Sequence, residues 1–225
     1  MHIGIIGAGS IAEALGSGWV AAGHQVLIGG RNTERAAALA QRLGSGTLAG
    51  STAQAASFGE AILLAVPGAV ASSALTEAAP EPFILDGRTI IDCTNALAPD
   101  AFSVPPGSFD VSTPAVAEDV ARAAGGAPVV KAFNMCAAEA WRDAPRSFDD
   151  RPFTVAMCGD DPTALAVVDT LVSDLGLRAV HGGGLRRARL MEAMAAFVMG
   201  MWFAGHDARS LLPPLEFAGA SSPDD

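Results

Sequence analysis

No tyrosine occurs among the 225 residues, and Lys131 is the only lysine. The Tyr-x-x-x-Lys proton-donating pair of short-chain dehydrogenases is therefore excluded, and any reductase chemistry must proceed without a phenolic acid. Cysteine is scarce as well. Cys93, Cys136 and Cys158 are far apart, with no Cys-x-x-Cys pair. That spacing excludes a zinc framework, so no metal is expected, and it reads as free buried thiols in a reducing compartment. Positive charge is in short supply, with 14 basic against 24 acidic side chains and a net charge of −10. A nucleic-acid surface needs clustered cations to neutralise phosphates, so that class of partner is excluded. The apolar stretch 193–205 is too short for a bilayer span of about 20 residues. Ile3, Ile5 and Ile6 are interrupted at Gly7 and have no basic flank before them, unlike a secretory leader. The expectation is a cytoplasmic protein bound to neither nucleic acid nor membrane.

Half of the residues are hydrophobic and 17% are charged, which is ample for a buried core. Short apolar runs at 2–6, 25–28, 61–66, 89–92, 128–132, 153–157 and 177–180, with a weaker one at 46–49, predict strands. Between them lie helical segments at 10–22, 33–43, 69–78, 116–124, 162–175 and 185–205. Most of the apolar runs lack alternation, as expected of parallel strands covered on both faces. This predicts an α/β fold: a Rossmann-type doubly wound parallel sheet with a small C-terminal α/β unit that ends in a long apolar helix. The polar stretch 143–151 marks a boundary. It divides a nucleotide-binding domain, 1–145, from a smaller unit, 146–212, followed by a tail, 213–225, read as mobile. Asp161-Pro162 predicts a helix start and Gly176 its end.

Gly7-Ala8-Gly9-Ser10-Ile11-Ala12 follows the first apolar run and opens the first helix. Gly7 permits the tight turn, Gly9 lets a pyrophosphate approach the backbone, and small Ala12 lets helix and strand pack closely. The helix N-terminus supplies amides and a partial positive charge for an anion. The second run ends in Gly29-Gly30-Arg31-Asn32, where a site for NAD would carry an acid to bind the ribose hydroxyls. Arg31 stands there instead, with Arg35 one turn later, and both suit a 2′-phosphate. NADP(H) is the cofactor this predicts. Ligands also bind at the carboxyl ends of later strands. Val66-Pro67, Asn95 and Ala132-Phe133-Asn134 end three of them, and either asparagine could bind ribose or nicotinamide or cap the next helix.

Taken together, I-G-I-I-G-A-G-S-I-A, I-G-G-R-N, I-I-D-C-T-N, V-V-K-A-F-N, G-D-D-P and G-G-G-L-R-R-A-R-L-M-E resemble the NADP-dependent reductases of the deazaflavin coenzyme F(420). The resemblance runs from Ile3 to about Ala204. It implies that Ser10, Ile11, Arg31, Asn32 and Arg35 hold the adenosine phosphate end, while Val66, Pro67, Asn95 and Ala132 line the nicotinamide end. The second substrate would meet Phe133, Asn134 and Met135 together with Leu185, Met191 and Met194. The chain departs from the family pattern at Ala96, Met135 and Ala193, where proline, threonine and proline are usual. Two of those positions flank the cofactor and second-substrate ends.

Segment 185–205 is apolar around much of its circumference and rich in methionine, so it is expected to be buried in the core or against a second copy in a homodimer. His181, at the end of a predicted strand, is a candidate acid. Hydride transfer between two bound cofactors depends on positioning and needs no proton relay, so the lack of an obvious acid fits a deazaflavin reductase. Two other readings stand beside it. One is an NADPH-dependent reductase of a small C=O, C=N or C=C substrate, and the other is a non-catalytic NADP(H)-sensing protein.

Overall fold

The computed structural model describes residues 1–211 other than residues 82, 99–100, 102–104, 106–110 and 112–114; the tail expected from 213 lies outside them. The chain opens with β1 (His2–Ile6), α1 (Ser10–Ala21), β2 (Gln25–Gly29), α2 (Thr33–Leu43) and β3 (Thr47–Gly50). It continues through α3 (Thr52–Phe58), β4 (Ala61–Leu64), α4 (Ala71–Ala78), β5 (Thr89–Asp92), α5 (Val116–Ala123) and β6 (Val129–Lys131). Then come α6 (Ala138–Asp143), β7 (Ser147–Phe148), β8 (Arg151–Pro152), β9 (Thr154–Gly159), α7 (Pro162–Ser173), β10 (Arg178–His181) and α8 (Ala188–Phe203).

Eight strands form one sheet in the order β10-β9-β6-β5-β4-β1-β2-β3. Strands β1 to β6 are parallel, and the order reverses between β1 and β4. Open α/β sheets bind ligands at such a reversal. The sheet runs without a break past residue 145. Its last two strands, from the C-terminal part, join in a different sense: β9 is antiparallel to β6, and β10 follows β9 in parallel. A parallel return would need the chain carried back along the sheet, usually by a crossover helix packed on one face. The one helix on this path, α6, has six residues and rises only about 9 Å.

Burial explains the parallel part. Ile3, Ile5, Ile6, Ile62, Leu63, Leu64, Ile90 and Ile91 are all fully buried, because a helical layer covers each face. One layer packs Trp19 of α1, Leu39 of α2, Trp141 of α6 and Leu171 of α7 together. The other packs Ala55 of α3, Leu75 of α4 and Val120 of α5. The Trp19 indole donates to the Leu171 carbonyl at 2.9 Å, tying α1 to α7.

Local signals set most helix ends. Asn32 caps α2 by accepting from the Arg35 amide at 2.8 Å. Asp161 caps α7 from the Ala164 amide at 2.8 Å, with Pro162 in the first turn, and Gly176 follows the helix at φ +70°. Two helices escaped the sequence reading. Helix α3 has only seven residues, started by a reciprocal Ser51–Gln54 capping box, and α6 is shorter still. The β7–β8 hairpin was also missed. It turns through Asp149 and Asp150, both at positive φ, where aspartate substitutes for the usual glycine or asparagine. Among the described residues, no helix is long and apolar enough to cross a membrane.

The ends of β5 and β6 carry a buried charge network. Lys131, Asp92 and Glu192 are 0%, 0% and 1% exposed. The Lys131 ammonium donates to Asp92 Oδ2 at 3.0 Å, to Glu192 Oε1 at 2.7 Å and to the Thr94 carbonyl at 2.6 Å. Asp92 Oδ1 accepts from the amide and hydroxyl of Thr94 at 2.9 and 2.7 Å. Glu192 also accepts from the amides of Val116 and Ala117 at 2.8 and 3.1 Å. Helix α5 follows Ala115, which has no side chain able to cap it; the cap comes from α8 instead. Two carboxylates against one ammonium leave a net negative charge, and the α5 N-terminus, worth roughly half a unit of positive charge, offsets part of it.

Removing one member should therefore cost far more than breaking a surface pair. Lys131→Met leaves two buried carboxylates without their counter-ion and is expected to lose about 3–5 kcal/mol of unfolding free energy in urea. Arg189→Ala breaks the pair with Glu118, which joins the same two helices at the surface, and should change stability little. Equal losses from the two substitutions would contradict the network's role in the fold.

Candidate functional site

The carboxyl ends of β1, β2 and β4 open onto a cleft of about 750 Å³. Its floor is the β1–α1 loop, Gly7 to Gly9. One wall is the β2–α2 junction, with Arg31, Asn32 and Arg35. The facing wall is Ala65 to Pro67 after β4, then Val70, Ser73, Ala74 and Glu77 along α4, with Thr52 of α3 between the walls. The two walls lie on opposite faces of the sheet, so the cleft straddles its edge at the order reversal.

The loop's glycines have different tasks. Gly7 has φ +124°, and a Cβ there would sit 2.1 Å from the Ala65 carbonyl oxygen, so only glycine joins β1 to α1 so close to β4. A Cβ on Gly9 would meet no protein atom within 4 Å. Nothing in the fold requires glycine at that position by contact. The open space above it, at the N-terminus of α1, suits the pyrophosphate of a dinucleotide. The loop thus fits the group that the sequence implied.

Arg35 reaches back over the loop, its Nε donating to the Ala8 carbonyl at 3.1 Å, so it links the arginine wall to the phosphate floor. Arg31 is exposed at the mouth. The Asn32 carboxamide oxygen is engaged in capping α2, so this residue holds the arginine wall in shape. Of the residues expected to hold cofactor, Gly7, Gly9, Arg31, Asn32, Arg35, Val66 and Pro67 come together in the cleft. Ser10 and Ile11 lie just beyond it in the first turn of α1, and Ala132 is fully buried in the core.

The other expected residues are spread more widely. Asn95 and Asn134 bond to each other: Asn95 Nδ2 donates to the Asn134 carbonyl at 2.8 Å, and Asn134 Nδ2 to Asn95 Oδ1 at 2.9 Å. The pair locks the ends of β5 and β6 together, and buried Asn134 Oδ1 has no partner among the described residues. Phe133 is 1% exposed, set edge-on between Trp19 and Trp141 at centroid distances of 6.0 and 5.6 Å. Its φ of +61° is an uncommon state for a bulky residue. Met135 and Leu185 are half-buried, Met191 is buried, and Met194 is exposed. His181 is exposed at the end of β10, with Nε2 3.3 Å from the Gly159 carbonyl oxygen. Four strand spacings, about 19 Å, separate β10 from β4.

The α4 wall went unread in the sequence, although its helix was anticipated. Val70, Ala74 and Glu77 follow helical spacing on the side away from buried Ala71, Leu75 and Ala78. That spacing marks a face of the helix and does not say what the face lines. The cysteines offer no nucleophile. Burial pushes the Cys93 thiol up to about 12 and the Cys136 thiol to about 11, so both stay protonated at neutral pH.

Residues 2–96 match the family model described as NADP oxidoreductase coenzyme F(420)-dependent, so the resemblance read from the motifs holds over that span. The rat metalloreductase STEAP3 is 30% identical over 200 residues, 89% of this chain and 37% of its own length; the chain thus spans little more than a third of that relative. Among solved structures, a protein from Arthrobacter sp. described as a candidate F(420)-dependent NADP reductase aligns with TM-score 0.78 at 24% identity, over 91% of this chain and 95% of that one. An imine reductase from Pseudomonas sp. aligns with TM-score 0.66 at 19% identity, over 90% of this chain and 63% of that one. At those identities the two structures establish the fold.

The two glycines should respond differently to substitution. Gly9→Val is expected to abolish NADPH binding in a calorimetric titration while staying within about 0.5 kcal/mol of wild-type stability. Gly7→Ala should lower stability itself, with about 1–3 kcal/mol from backbone strain alone before the clash with Ala65. Retained NADPH affinity in Gly9→Val would show that the loop is not the binding site.

Proposed function

We propose, on the premise that residues 2–96 carry the sequence of the coenzyme F(420)-dependent NADP oxidoreductase family, that this chain transfers hydride between NADP(H) and a bound deazaflavin. One observation carries the choice of acceptor. Among the residues lining the cleft, the titratable ones are Arg31, Arg35 and Glu77, all on the adenosine side, while Ala65, Val66 and Pro67 form the other end. Either acceptor takes up a proton with the hydride. An imine or ketone takes it on the reacting group itself, where these three residues offer none. An oxidised deazaflavin takes it on a ring nitrogen remote from the carbon that receives the hydride, where water supplies it. Exchange between two redox cofactors is a matter of positioning.

In this reading the chain's own groups bind and orient. The Gly7–Gly9 loop and the α1 N-terminus hold the pyrophosphate, and Arg31 and Arg35 face the 2′-phosphate. Val66 and Pro67 give the nicotinamide an apolar wall that keeps water away. The Asn95–Asn134 pair fixes the strand ends beside it. When bound, the nicotinamide supplies or accepts the hydride. The unit 146–212 then serves the second substrate and a second copy of the chain, in the cytoplasm.

The homodimer rests on α8. Leu190, Met194 and Phe197 are 56%, 43% and 62% exposed and recur at spacings of four and three, the pattern of a helix-pairing seam. The buried side of the helix is instead built around small residues, Ala188, Ala195, Ala196 and Gly200, and Glu192. An apolar stripe left outside after the core is complete suits a partner helix.

The direct test is absorbance with NADPH and oxidised deazaflavin, or the reverse pair, at saturating concentrations. Deazaflavin reduction is expected. NADPH binding without turnover would hand the leading place to the small-substrate reductase, and no turnover with any acceptor would favour an NADP(H) sensor. For the second copy, light scattering at micromolar concentration should give a dimer that Phe197→Glu converts to a folded monomer. A wild-type monomer would remove the partner helix.

A further inference from the structure

The cleft contains a carboxylate that the reading above leaves without a task. Glu77 is the one anion among the residues lining a pocket meant for a polyanion. We propose that Glu77 reads the base of the dinucleotide, accepting a hydrogen bond from the exocyclic amine of adenine. The inference rests on the NADP(H) reading and deepens it, by naming the group that selects the purine.

Placement on the helix is the first argument. Val70, Ala74 and Glu77 succeed one another along α4 on the cleft side, over about 10 Å. Val70 lies next to the Pro67 turn and Glu77 farthest from it. Two apolar side chains followed by a polar one match a purine, whose flat face is apolar and whose rim is polar.

Chemistry narrows the role further. A carboxylate only accepts hydrogen bonds. With its 2′-oxygen esterified, the adenosine half of NADP(H) offers two donors, the 3′-hydroxyl and the base amine. The hydroxyl adjoins the phosphate, which Arg31 and Arg35 address from the opposite wall. A carboxylate beside that phosphate would repel it. On the far wall Glu77 avoids the repulsion and meets the amine at the rim of the base. The acid that in NAD sites reads ribose from the end of β2 is replaced here by Arg31, so Glu77 is not that acid displaced.

The test uses the full chain and two cofactors: NADPH, and its deamino analogue carrying hypoxanthine, in which a carbonyl replaces the amine and the donor moves to the neighbouring ring nitrogen, so that the carbonyl faces the carboxylate. Binding is followed by nicotinamide fluorescence, so no turnover is needed. Wild type is expected to bind the hypoxanthine form about 10–150-fold more weakly, the range of a charge-assisted hydrogen bond. In Glu77→Gln the carboxamide can accept from adenine or donate to hypoxanthine, so the two affinities should come within about threefold of each other. Arg31→Asp is the control: it should move the NADPH-to-NADH ratio and leave the adenine-to-hypoxanthine ratio alone. Equal binding of both bases by wild type, or an unchanged ratio in Glu77→Gln, overturns the assignment. Parallel strengthening of both in Glu77→Gln would show that Glu77 acts by pairing with Arg31, and overturns it equally. If wild type binds neither dinucleotide, the NADP(H) reading itself has failed, and the base reader with it.

Discussion

The ammonium of Lys131 is the point on which the two halves of the molecule meet. It joins the ends of β5 and β6 through Asp92 and the Thr94 carbonyl, and α8 through Glu192. Glu192 in turn supplies the cap that α5 lacks. A carboxylate in the middle of an apolar helix is costly to bury unless both oxygens are hydrogen-bonded and a counter-ion is present. Here both conditions hold, and they dictate where α8 must dock and how it must be rotated. With Glu192 pinned inward, Ala195, Ala196 and Gly200 are buried with it, on the helix that packs against α5, while Leu190, Met194 and Phe197 are left outside.

The same strand ends organise the cleft. The pyrophosphate loop depends on the crowding of Gly7 against Ala65, which brings β4 and its Pro67 turn beside the first helix. Further along the edge, the backbone at Phe133 adopts a left-handed state while its ring fills the gap between Trp19 and Trp141. That conformation costs about 1–3 kcal/mol, and the aromatic packing holds it in place. It turns the chain so that Asn134 meets Asn95 across two strands. The edge of the sheet is therefore closely packed at Phe133 and Asn134 and open at the cleft beside Arg31.

The phosphate loop, the arginine pair and nearly every strand were legible in the sequence because each depends on a few consecutive residues. Gly7 to Ala12 need only their own backbone conformation and small side chains to form the loop. Arg31 and Arg35 need only the end of β2 and one turn of α2. What stayed hidden depended on distant neighbours or on length. Helix α3 is too short for its periodicity to show. The reversal of β9 goes with a six-residue helix and a hairpin in place of a crossover helix, which composition does not express. Phe133 looked like a residue of the site and lies in the core, because a single positive φ points its ring the other way.

By itself the sequence determined the α/β class, the order of strands through β6, the glycine loop that opens the first helix and the arginine pair beside it. Those are properties of local runs, set by burial on both faces of a strand and by the chemistry of turns and caps. The tertiary structure alone decided that α4 forms the second wall of the cleft and that Glu77 stands on it. It also decided that His181 sits on the edge strand away from the cleft, and that the lone lysine is buried with two carboxylates. None of these follows from spacing along the chain. Each depends on which strands become neighbours in the sheet, and so on contacts between residues as far apart as Lys131 and Glu192, 61 positions away in sequence.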